Sequence, residues 1–276
     1  MKSLKSLKSV IGEKFPGLVT FYLLLYGKLV LPLLNPNIFS VKKMIGPYGP
    51  FKFHPRFVFS DYSDWGKSHN GGFRLCVEEC RGKKCVLDLG GHIGLLTMPM
   101  SRAVGASGKV YVFEPADENL KYLSSHLKLN GMQNVEIINC LVGSSDLEEV
   151  PFYEESDYGG LSSTVCIKEL SACGKKLKTQ VSVDSFCQKR EITPEVIKID
   201  VEGAELDVLS GARETIRKNK PVIFLSYHPK HLKKLGRTDD EFRAMLAEFG
   251  YSCLDTENKK PVQNFVKAEY ILLACK

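Results

Sequence analysis

The amino-acid sequence predicts an α/β fold in which a doubly wound, mainly parallel sheet carries helices on both faces. Short apolar runs such as "KKCVLDLG" and "KVYVFEP" alternate with segments of helical periodicity over most of the chain. A run that is apolar throughout is typical of a parallel strand buried on both faces. Both runs reach an acidic residue at their carboxyl end, which is where ligands bind on such sheets.

Residues 1–46 are predicted to form a helical, apolar extension ahead of a main domain at residues 47–276. The extension begins with a lysine-rich stretch, followed by the apolar "LVTFYLLLYGKLVLPLL". Lys28 and Pro32 interrupt that run, and its clean core of about ten residues is short of the roughly 20 that span a bilayer. We expect a helix packed on the main domain or on a second copy of the chain. The alternative is a lid helix, or a membrane-surface contact through residues 1–35.

The main domain opens with Gly- and Pro-rich loops, and its strands and helices then alternate. Residues 92–104 predict a helix whose start is shifted, or whose axis is kinked, by Pro99. Leucines at helical spacing after the second strand predict another helix, which ends at Asn130–Gly131. The later elements are predicted as a strand at "NVEIINCLVG", a hairpin-like insertion at residues 147–193, strands at "PEVIKIDVEG" and "PVIFLSYHP" with a helix between them, a helix at residues 238–249 and a last strand at "AEYILLACK".

Composition describes an ordinary globular protein of 276 residues, with 43% apolar and 25% charged residues. These values exclude a wholly disordered chain. The net charge of +6 permits an anionic partner without requiring one. None of the nine cysteines forms a C-x-x-C pair, so zinc-ribbon and thioredoxin-like chemistry are unsupported, and reduced thiols in the cytoplasm are expected.

The loop after the first strand indicates the class of ligand. Gly90-Gly91-His92-Ile93-Gly94 has neither the G-x-G-x-x-G spacing of a dinucleotide site nor a Walker phosphate loop. Asp88 precedes the first glycine, and a fixed negative charge there would repel a pyrophosphate. The same charge attracts S-adenosylmethionine, whose sulfonium and ammonium groups are cationic.

Glu114 closes the second strand, where a carboxylate can accept hydrogen bonds from both hydroxyls of a ribose. Either acid alone is also explained as a helix cap. An acid at two successive strand ends on either side of a double-glycine turn instead favours a sulfonium nucleoside as the ligand.

The motifs "DLGGHIG", "VFEP", "NVEIINCLVG" and above all "IKIDVEGAELDVLSGA" resemble those of the FkbM-type S-adenosylmethionine-dependent methyltransferases, in order, over residues 70–275. The resemblance implies the seven-stranded sheet of class I methyltransferases with its last strand antiparallel, and methyl transfer, most often to a hydroxyl on a sugar or natural product. His92 departs from the family pattern, which often has a small amide there, and Pro99 disturbs the next helix. With the residue arguments above, the resemblance assigns the cofactor to Asp88, Gly90, Gly91, His92, Ile93, Gly94, Glu114, Pro115, Cys140, Leu141 and Val142.

The "KIDVEG" block places candidate catalytic acids beside the acceptor. Asp200 is expected at the end of its strand as the group that positions or deprotonates the acceptor, and Glu202 is expected to assist it. A first-turn acid that complements a helix dipole explains Glu202 equally simply. His228 ends the next strand and has the ordinary pKa of a base, although a histidine before proline is often a turn residue.

Two further residues are candidates for contact with the substrate. Lys198 lies two residues before Asp200, so it is expected to pair with that acid or to orient a substrate oxygen. Asn70 precedes the first strand in "SHNGGF" and is expected near the cofactor or in a plain turn. No metal site is predicted; the alternative is Mg²⁺ held by Asp200, Glu202 and Glu205.

The sequence therefore predicts O-methylation of a saccharide, glycolipid or other hydroxylated small molecule. Methylation of RNA or protein is an alternative, because of the basic residues Lys230, Lys233, Lys234 and Arg237, although no nucleic-acid module is recognisable. Two further alternatives remain: a non-catalytic scaffold that binds a cofactor or attaches to a membrane, and a nicotinamide oxidoreductase. The sequence does not decide the oligomeric state.

Overall fold

A computed structural model describes residues 25–67, 71–155, 173–266 and 268–275. The strands are β1 Val41–Ile45, β2 Tyr48–Phe53, β3 Cys85–Leu89, β4 Lys109–Phe113, β5 Val135–Ile138, β6 Leu141–Val142, β7 Leu147–Glu155, β8 Cys173–Val181, β9 Val196–Ile199, β10 Val222–Tyr227, β11 Tyr251–Asp255 and β12 Ala268–Ala274. The α-helices are α1 Phe73–Glu79, α2 Thr97–Val104, α3 Asp117–Leu129, α4 Val183–Arg190, α5 Glu205–Ser210, α6 Arg213–Asn219, α7 Pro229–Lys234 and α8 Asp239–Phe249. Short helical turns occur at Tyr26–Val30, Leu31–Leu33 and Pro55–Phe57.

The main sheet has seven strands in the order β11-β12-β10-β9-β3-β4-β5. β12 runs antiparallel to both of its neighbours, and β10, β9, β3, β4 and β5 are parallel to one another. This confirms the doubly wound sheet with an antiparallel last strand. From β3 the chain winds first through β4 and β5, and later returns on the other side of β3 as β9 and β10. The strand order therefore reverses between β3 and β9, which is where such a sheet opens a ligand crevice.

The central strands are buried along their whole length, as their unbroken apolar runs predict. Every residue of β3 and β9 is buried. On one face, side chains such as Leu87 and Ile197 join the largest apolar cluster, while Val86 and Val196 join a cluster on the other face. Helices therefore cover both faces, and the carboxyl ends of the strands are the accessible edge of the sheet.

Helix α2 begins at Thr97, five residues later than the sequence pattern indicates. The intervening residues form a turn, with positive φ at His92 and Gly94 and a hydrogen bond from the N–H of Gly94 to the carbonyl of Gly91. Pro99 lies in the first turn of α2, where its missing N–H costs no hydrogen bond within the helix. Of the two predicted effects of this proline, the shifted start is confirmed.

Two small sheets flank the main one. β1 and β2 pair antiparallel across residue 46, where the sequence placed the end of the extension, and Phe53 of β2 contacts His126 of α3 at a ring separation of 4.6 Å. In the insertion, β7 and β8 pair antiparallel and α4 follows them; residues 156–172 lie outside the described residues. β6 joins this second small sheet in parallel to β8.

Candidate active site

Four strands of the main sheet deliver polar side chains to one cleft of about 740 Å³ at their carboxyl ends. Asp88 lies near the end of β3, and Glu114, Asp200 and His228 follow directly after β4, β9 and β10. All four line the cleft, which straddles the point where the strand order reverses. The site thus forms where the topology predicts it.

Two glycines allow the loop after β3 to lie against its neighbouring strands. The N–H groups of Gly90 and Gly91 both donate to the carbonyl oxygen of Phe113 at 2.9 Å. A Cβ atom on Gly90 would stand 1.9 Å from the carbonyl oxygen of Asp200, and one on Gly91 would stand 2.0 Å from Cγ2 of Val112. Only glycine fits at these two positions, and the close approach opens the cleft above the loop.

Glu114 is a buried carboxylate that holds the turn and faces the cleft. Its Oε2 accepts the N–H of His92 at 2.7 Å, and its Oε1 accepts the N–H of Ala116 at 2.9 Å and the side-chain amide of Asn119 at 3.1 Å. Burial raises the pKa of Glu114, while these hydrogen bonds oppose that rise. A carboxylate has room for about four hydrogen bonds, so an acceptor site remains for a hydroxyl donor in the cleft.

Asp88 lies on the floor of the cleft and is 1% exposed. Burial raises its pKa to about 6, against the opposing effects of a 2.6 Å hydrogen bond from Thr97 and of the Lys198 ammonium. Asp88 is therefore ionised at pH 7 only at a cost in desolvation. A cationic ligand would offset that cost.

Lys198 carries a buried positive charge beside Asp200 and Glu269. Its Nζ lies 3.5 Å from Oδ2 of Asp200 and 3.4 Å from Oε2 of Glu269, and it donates to Oγ of Ser226. Burial alone would lower the pKa of Lys198, but these carboxylates hold it above its ordinary value. The predicted pairing of Lys198 with Asp200 is present, and it fixes one oxygen of Asp200.

His228 is buried with its two ring nitrogens facing different carboxylates. Nδ1 lies 2.7 Å from Oε1 of Glu205, a residue that is itself fully buried. Nε2 faces the cleft, 3.5 Å from Oε2 of Glu202 and 3.9 Å from Oδ1 of Asp200. Burial would lower the pKa of His228, but the three carboxylates raise it. The histidine is thus held in place by Glu205 and presents Nε2 to the cleft.

Most of the predicted site residues meet in this cleft. The lining includes Gly90, Gly91, His92, Pro115, Cys140, Leu141, Val142, Lys198 and Glu202, besides the four residues at the strand ends. Ile93 and Gly94 do not line it: the Ile93 side chain packs in the core, and Gly94 approaches Leu123. They were assigned with the whole loop, but the backbone turns away from the cleft after His92. Asn70 lies outside the described residues.

Sequence reasoning missed three supporting residues. Glu205 was considered only as a ligand of Mg²⁺ together with Asp200 and Glu202, but its carboxylate points to Nδ1 of His228 and the N–H of Gly203 instead. Ser226 and Glu269 complete the hydrogen bonding around Lys198. Ser226 is two residues before His228 on the same strand, which is a usable signal, whereas Glu269 reaches the site only through the antiparallel β12.

The charge of the cleft is opposite in sign to that of the chain. Of the residues that the structure describes, seven carboxylate residues and two lysines line it, although the whole chain carries +6. Asp255 and Glu257 extend the acidic lining outward on one side, and Lys67 is the second lysine. Such a lining favours cationic ligands over phosphates and polyanions.

Comparisons with known proteins agree with this description. A model of the family described as "Methyltransferase FkbM domain" matches residues 88–253. "Methyltransferase 1" of Beauveria bassiana (strain ARSEF 2860) is 25% identical over an alignment of 146 residues, and the match covers 46% of this chain and 57% of that protein. The matched segment thus spans little more than half of this curated relative.

Among solved structures, the methyltransferase FkbM from Methylobacillus flagellatus KT is 18% identical, with a TM-score of 0.47 over 70% of this chain and 44% of its own. An S-adenosylmethionine-dependent O-methyltransferase from Thermotoga maritima is 15% identical, with a TM-score of 0.43 over 75% of this chain and 66% of its own.

Proposed function

The chain belongs to the FkbM methyltransferase family, and on that premise we propose that it transfers the methyl group of S-adenosylmethionine to a hydroxyl of a small molecule. The observation that carries the proposal is the pair of carboxylates, Asp88 and Glu114, at neighbouring strand ends on either side of the double-glycine turn. Glu114 has an acceptor position left for a ribose hydroxyl, and the charge of Asp88 suits a sulfonium nucleoside. The donor supplies a methyl group on a positively charged sulfur, which departs as a neutral thioether.

The protein's part in such a reaction is to align the acceptor and to help remove its proton. Alignment at about 3 Å accounts for much of the rate advantage of a bimolecular displacement held in one site. Asp200, Glu202 and His228 form one group, which we place at the acceptor side of the cleft, and the backbone of Asp200 lies against Gly90 of the glycine turn. We assign this group the orientation of the acceptor hydroxyl and the uptake of its proton, with Glu205 holding the histidine in place.

The acidic lining disfavours an anionic acceptor, and it is compatible with a neutral, hydroxylated one such as a saccharide or the head group of a glycolipid. An RNA acceptor would bring phosphates to a cleft with an excess of carboxylates. Arg237, one of the basic residues that suggested RNA, is paired with Asp207 and Glu241. These observations favour the small-molecule proposal over the nucleic-acid alternative.

A methyl-transfer assay tests the proposal. Purified protein is incubated with donor carrying an isotopic label in its methyl group and with pooled saccharides, glycolipids, phenols, RNA and proteins. We expect label in a hydroxylated small molecule, and Asp200→Asn is expected to abolish most of it. Label found only in RNA or protein would reject the acceptor class, and no transfer together with no binding of the donor would reject the enzyme activity.

We also propose that the segment at residues 25–39 contacts a lipid surface. Half of the exposed large apolar side chains of the described residues fall in it, namely Leu25, Leu29, Val30, Leu33, Ile38 and Phe39. Four lysines occur in residues 1–14, ahead of this segment, and basic charge next to apolar side chains is the pattern of interfacial binding to anionic membranes. Within the described residues, no helix combines the length and the hydropathy needed to cross a bilayer.

A further inference from the structure

The group on the acceptor side of the cleft also has the form of a metal-ligand set. Asp200, Glu202 and His228 come from the end of β9, the turn before α5 and the end of β10. Each offers one ligand atom, and these atoms all lie within 4.8 Å of one another. Ligands that follow two neighbouring strands, β9 and β10, therefore converge on one point that faces the cleft.

The separations suit coordination better than direct hydrogen bonding. Nε2 of His228 lies 3.5 Å from Glu202 and 3.9 Å from Asp200, which is long for a hydrogen bond. Two ligand atoms that each lie about 2.1 Å from one ion are roughly 3.0–3.4 Å apart when adjacent and up to about 4.2 Å apart when opposite. Both distances from Nε2 of His228 fall within that range, and all three ligand atoms lie within 4.8 Å of one another.

The surroundings of His228 and Asp200 leave the correct atom of each available, while Oε2 of Glu202 lies 3.3 Å from Nδ1 of His231. Glu205 is fully buried and faces Nδ1 of His228, which sets the tautomer with its proton on Nδ1 and its lone pair on Nε2. His228 is 6% exposed, and Nε2 makes no hydrogen bond to the described residues. Lys198 lies nearest Oδ2 of Asp200, so Oδ1 is the oxygen turned toward His228.

The electrostatics of the cleft favour a cation at this point. Glu202, Glu205 and Asp200 surround His228, and the Lys198 ammonium lies on the far side of Asp200. A divalent ion would neutralise these carboxylates where the acceptor binds. A histidine with two carboxylates is a mixed nitrogen and oxygen set, which suits Mn²⁺ or Zn²⁺.

We propose that Asp200, Glu202 and His228 bind a divalent first-row transition ion that activates the acceptor hydroxyl; this inference rests on the proposed methyl transfer. The acceptor oxygen binds the ion, and its O–H bond breaks with the proton passing to water. A bond then forms from this oxygen to the methyl carbon while the carbon–sulfur bond breaks, with its electron pair remaining on sulfur. The products are a methyl ether, a neutral thioether and a solvated proton, and nothing is oxidised or reduced. With the ion bound, His228 acts as a ligand, and water replaces the protein group as the proton acceptor.

Metal binding is measured directly, without turnover. Chelator-treated protein is titrated with Mn²⁺ by calorimetry, and the electron paramagnetic resonance signal of free Mn²⁺ is followed in parallel. Zn²⁺ is titrated by calorimetry in a second series. We expect one ion per chain. Glu202→Gln and His228→Gln should each weaken binding at least tenfold, and Glu205→Gln should weaken it about 10- to 100-fold by releasing the histidine. Glu257→Gln, an acid of the same cleft that is not a ligand, should leave it within about twofold.

Donor binding by each variant serves as the check on folding, and the outcomes separate the two proposals. If the wild type binds neither ion, or if the ligand variants bind as tightly as the wild type, the metal inference is overturned. Full methyl transfer by chelator-treated enzyme would also overturn it and would leave the proposed function standing. Failure of the wild type to bind the donor at all would instead reject the proposed function.

Discussion

Replacing Asp88 with asparagine separates two effects of this carboxylate: the stability that its burial costs, and the affinity for a cationic donor that its charge provides. Burial raises the pKa of Asp88 to about 6 in the folded chain, compared with 3.8 ordinarily. As the pH rises from about 4 to about 6, the unfolded chain releases this proton before the folded one does, so the wild type loses stability. A rise of about two in the pKa of Asp88 corresponds to roughly 3 kcal/mol in the free energy of unfolding, and the wild type has lost all of it once the pH exceeds the folded pKa.

Asparagine cannot ionise, and its carbonyl can still accept the Thr97 hydroxyl. At pH 7.5 the free energy of unfolding of Asp88→Asn should therefore exceed that of the wild type by up to about 3 kcal/mol. This difference in stability should vanish near pH 4. Denaturant unfolding of both proteins across this range measures it, and the difference between the curves cancels the other titrating groups. Lys198 and Asp200 face the same region, and both are unchanged in the variant. A difference that does not depend on pH would refute the account of Asp88.

The same variant should lose affinity for the cationic donor. For charges about 8 Å apart at an effective dielectric constant of 20, the attraction is about 2 kcal/mol, or roughly 30-fold in the dissociation constant. S-adenosylhomocysteine lacks the sulfonium charge and should be affected less. Calorimetric titration with both compounds measures the ratio of their dissociation constants in each protein. The preference of the wild type for the sulfonium compound should fade below pH 6. Equal losses for both compounds would show that Asp88 does not act on the sulfonium charge.

The remaining predictions concern the other acids and the apolar segment. Glu114→Gln should weaken the binding of both the donor and its demethylated product by about 1.5–3 kcal/mol, because a ribose hydroxyl loses a charged acceptor. Calorimetry measures this loss, and Glu118→Gln, an exposed acid of α3, serves as the control. Asp200→Asn should lower turnover about 100-fold or more at unchanged donor affinity; a fall in affinity alone would mean that Asp200 holds the donor. Leu33→Asp should reduce co-sedimentation with anionic vesicles, whereas Leu235→Asp, an exposed apolar site elsewhere, should not; equal binding by the two variants would exclude the segment as the contact.

The fold could be predicted well from the sequence because its strands and turns carry local signals. The apolar runs of β3 and β4 and the acids after them indicate parallel strands whose ends meet at one edge. Helix α8 occupies Asp239–Phe249, within the range that the sequence predicted. A shifted start of α2 was predicted, but not the residue at which it begins, because the positive φ of His92 continues the turn and histidine gives no local sign of that conformation.

The sequence could place the strand-end residues in one cleft, but it could not place the residues that hold them from behind. Asp200 and His228 could be identified because each directly follows an apolar strand pattern in the sequence. Glu205 lies in a helical segment and, by spacing alone, could point anywhere around the axis; only the packing of α5 turns it toward His228. Glu269 depends on the register of β12 against β10, which no local pattern encodes.

Calorimetric titration of the wild-type protein with S-adenosylmethionine and with NAD tests most directly whether the acidic strand ends hold a cationic nucleoside donor. The account predicts one molecule of S-adenosylmethionine bound per chain and no heat from NAD. Binding of NAD, or no binding of S-adenosylmethionine, would contradict it.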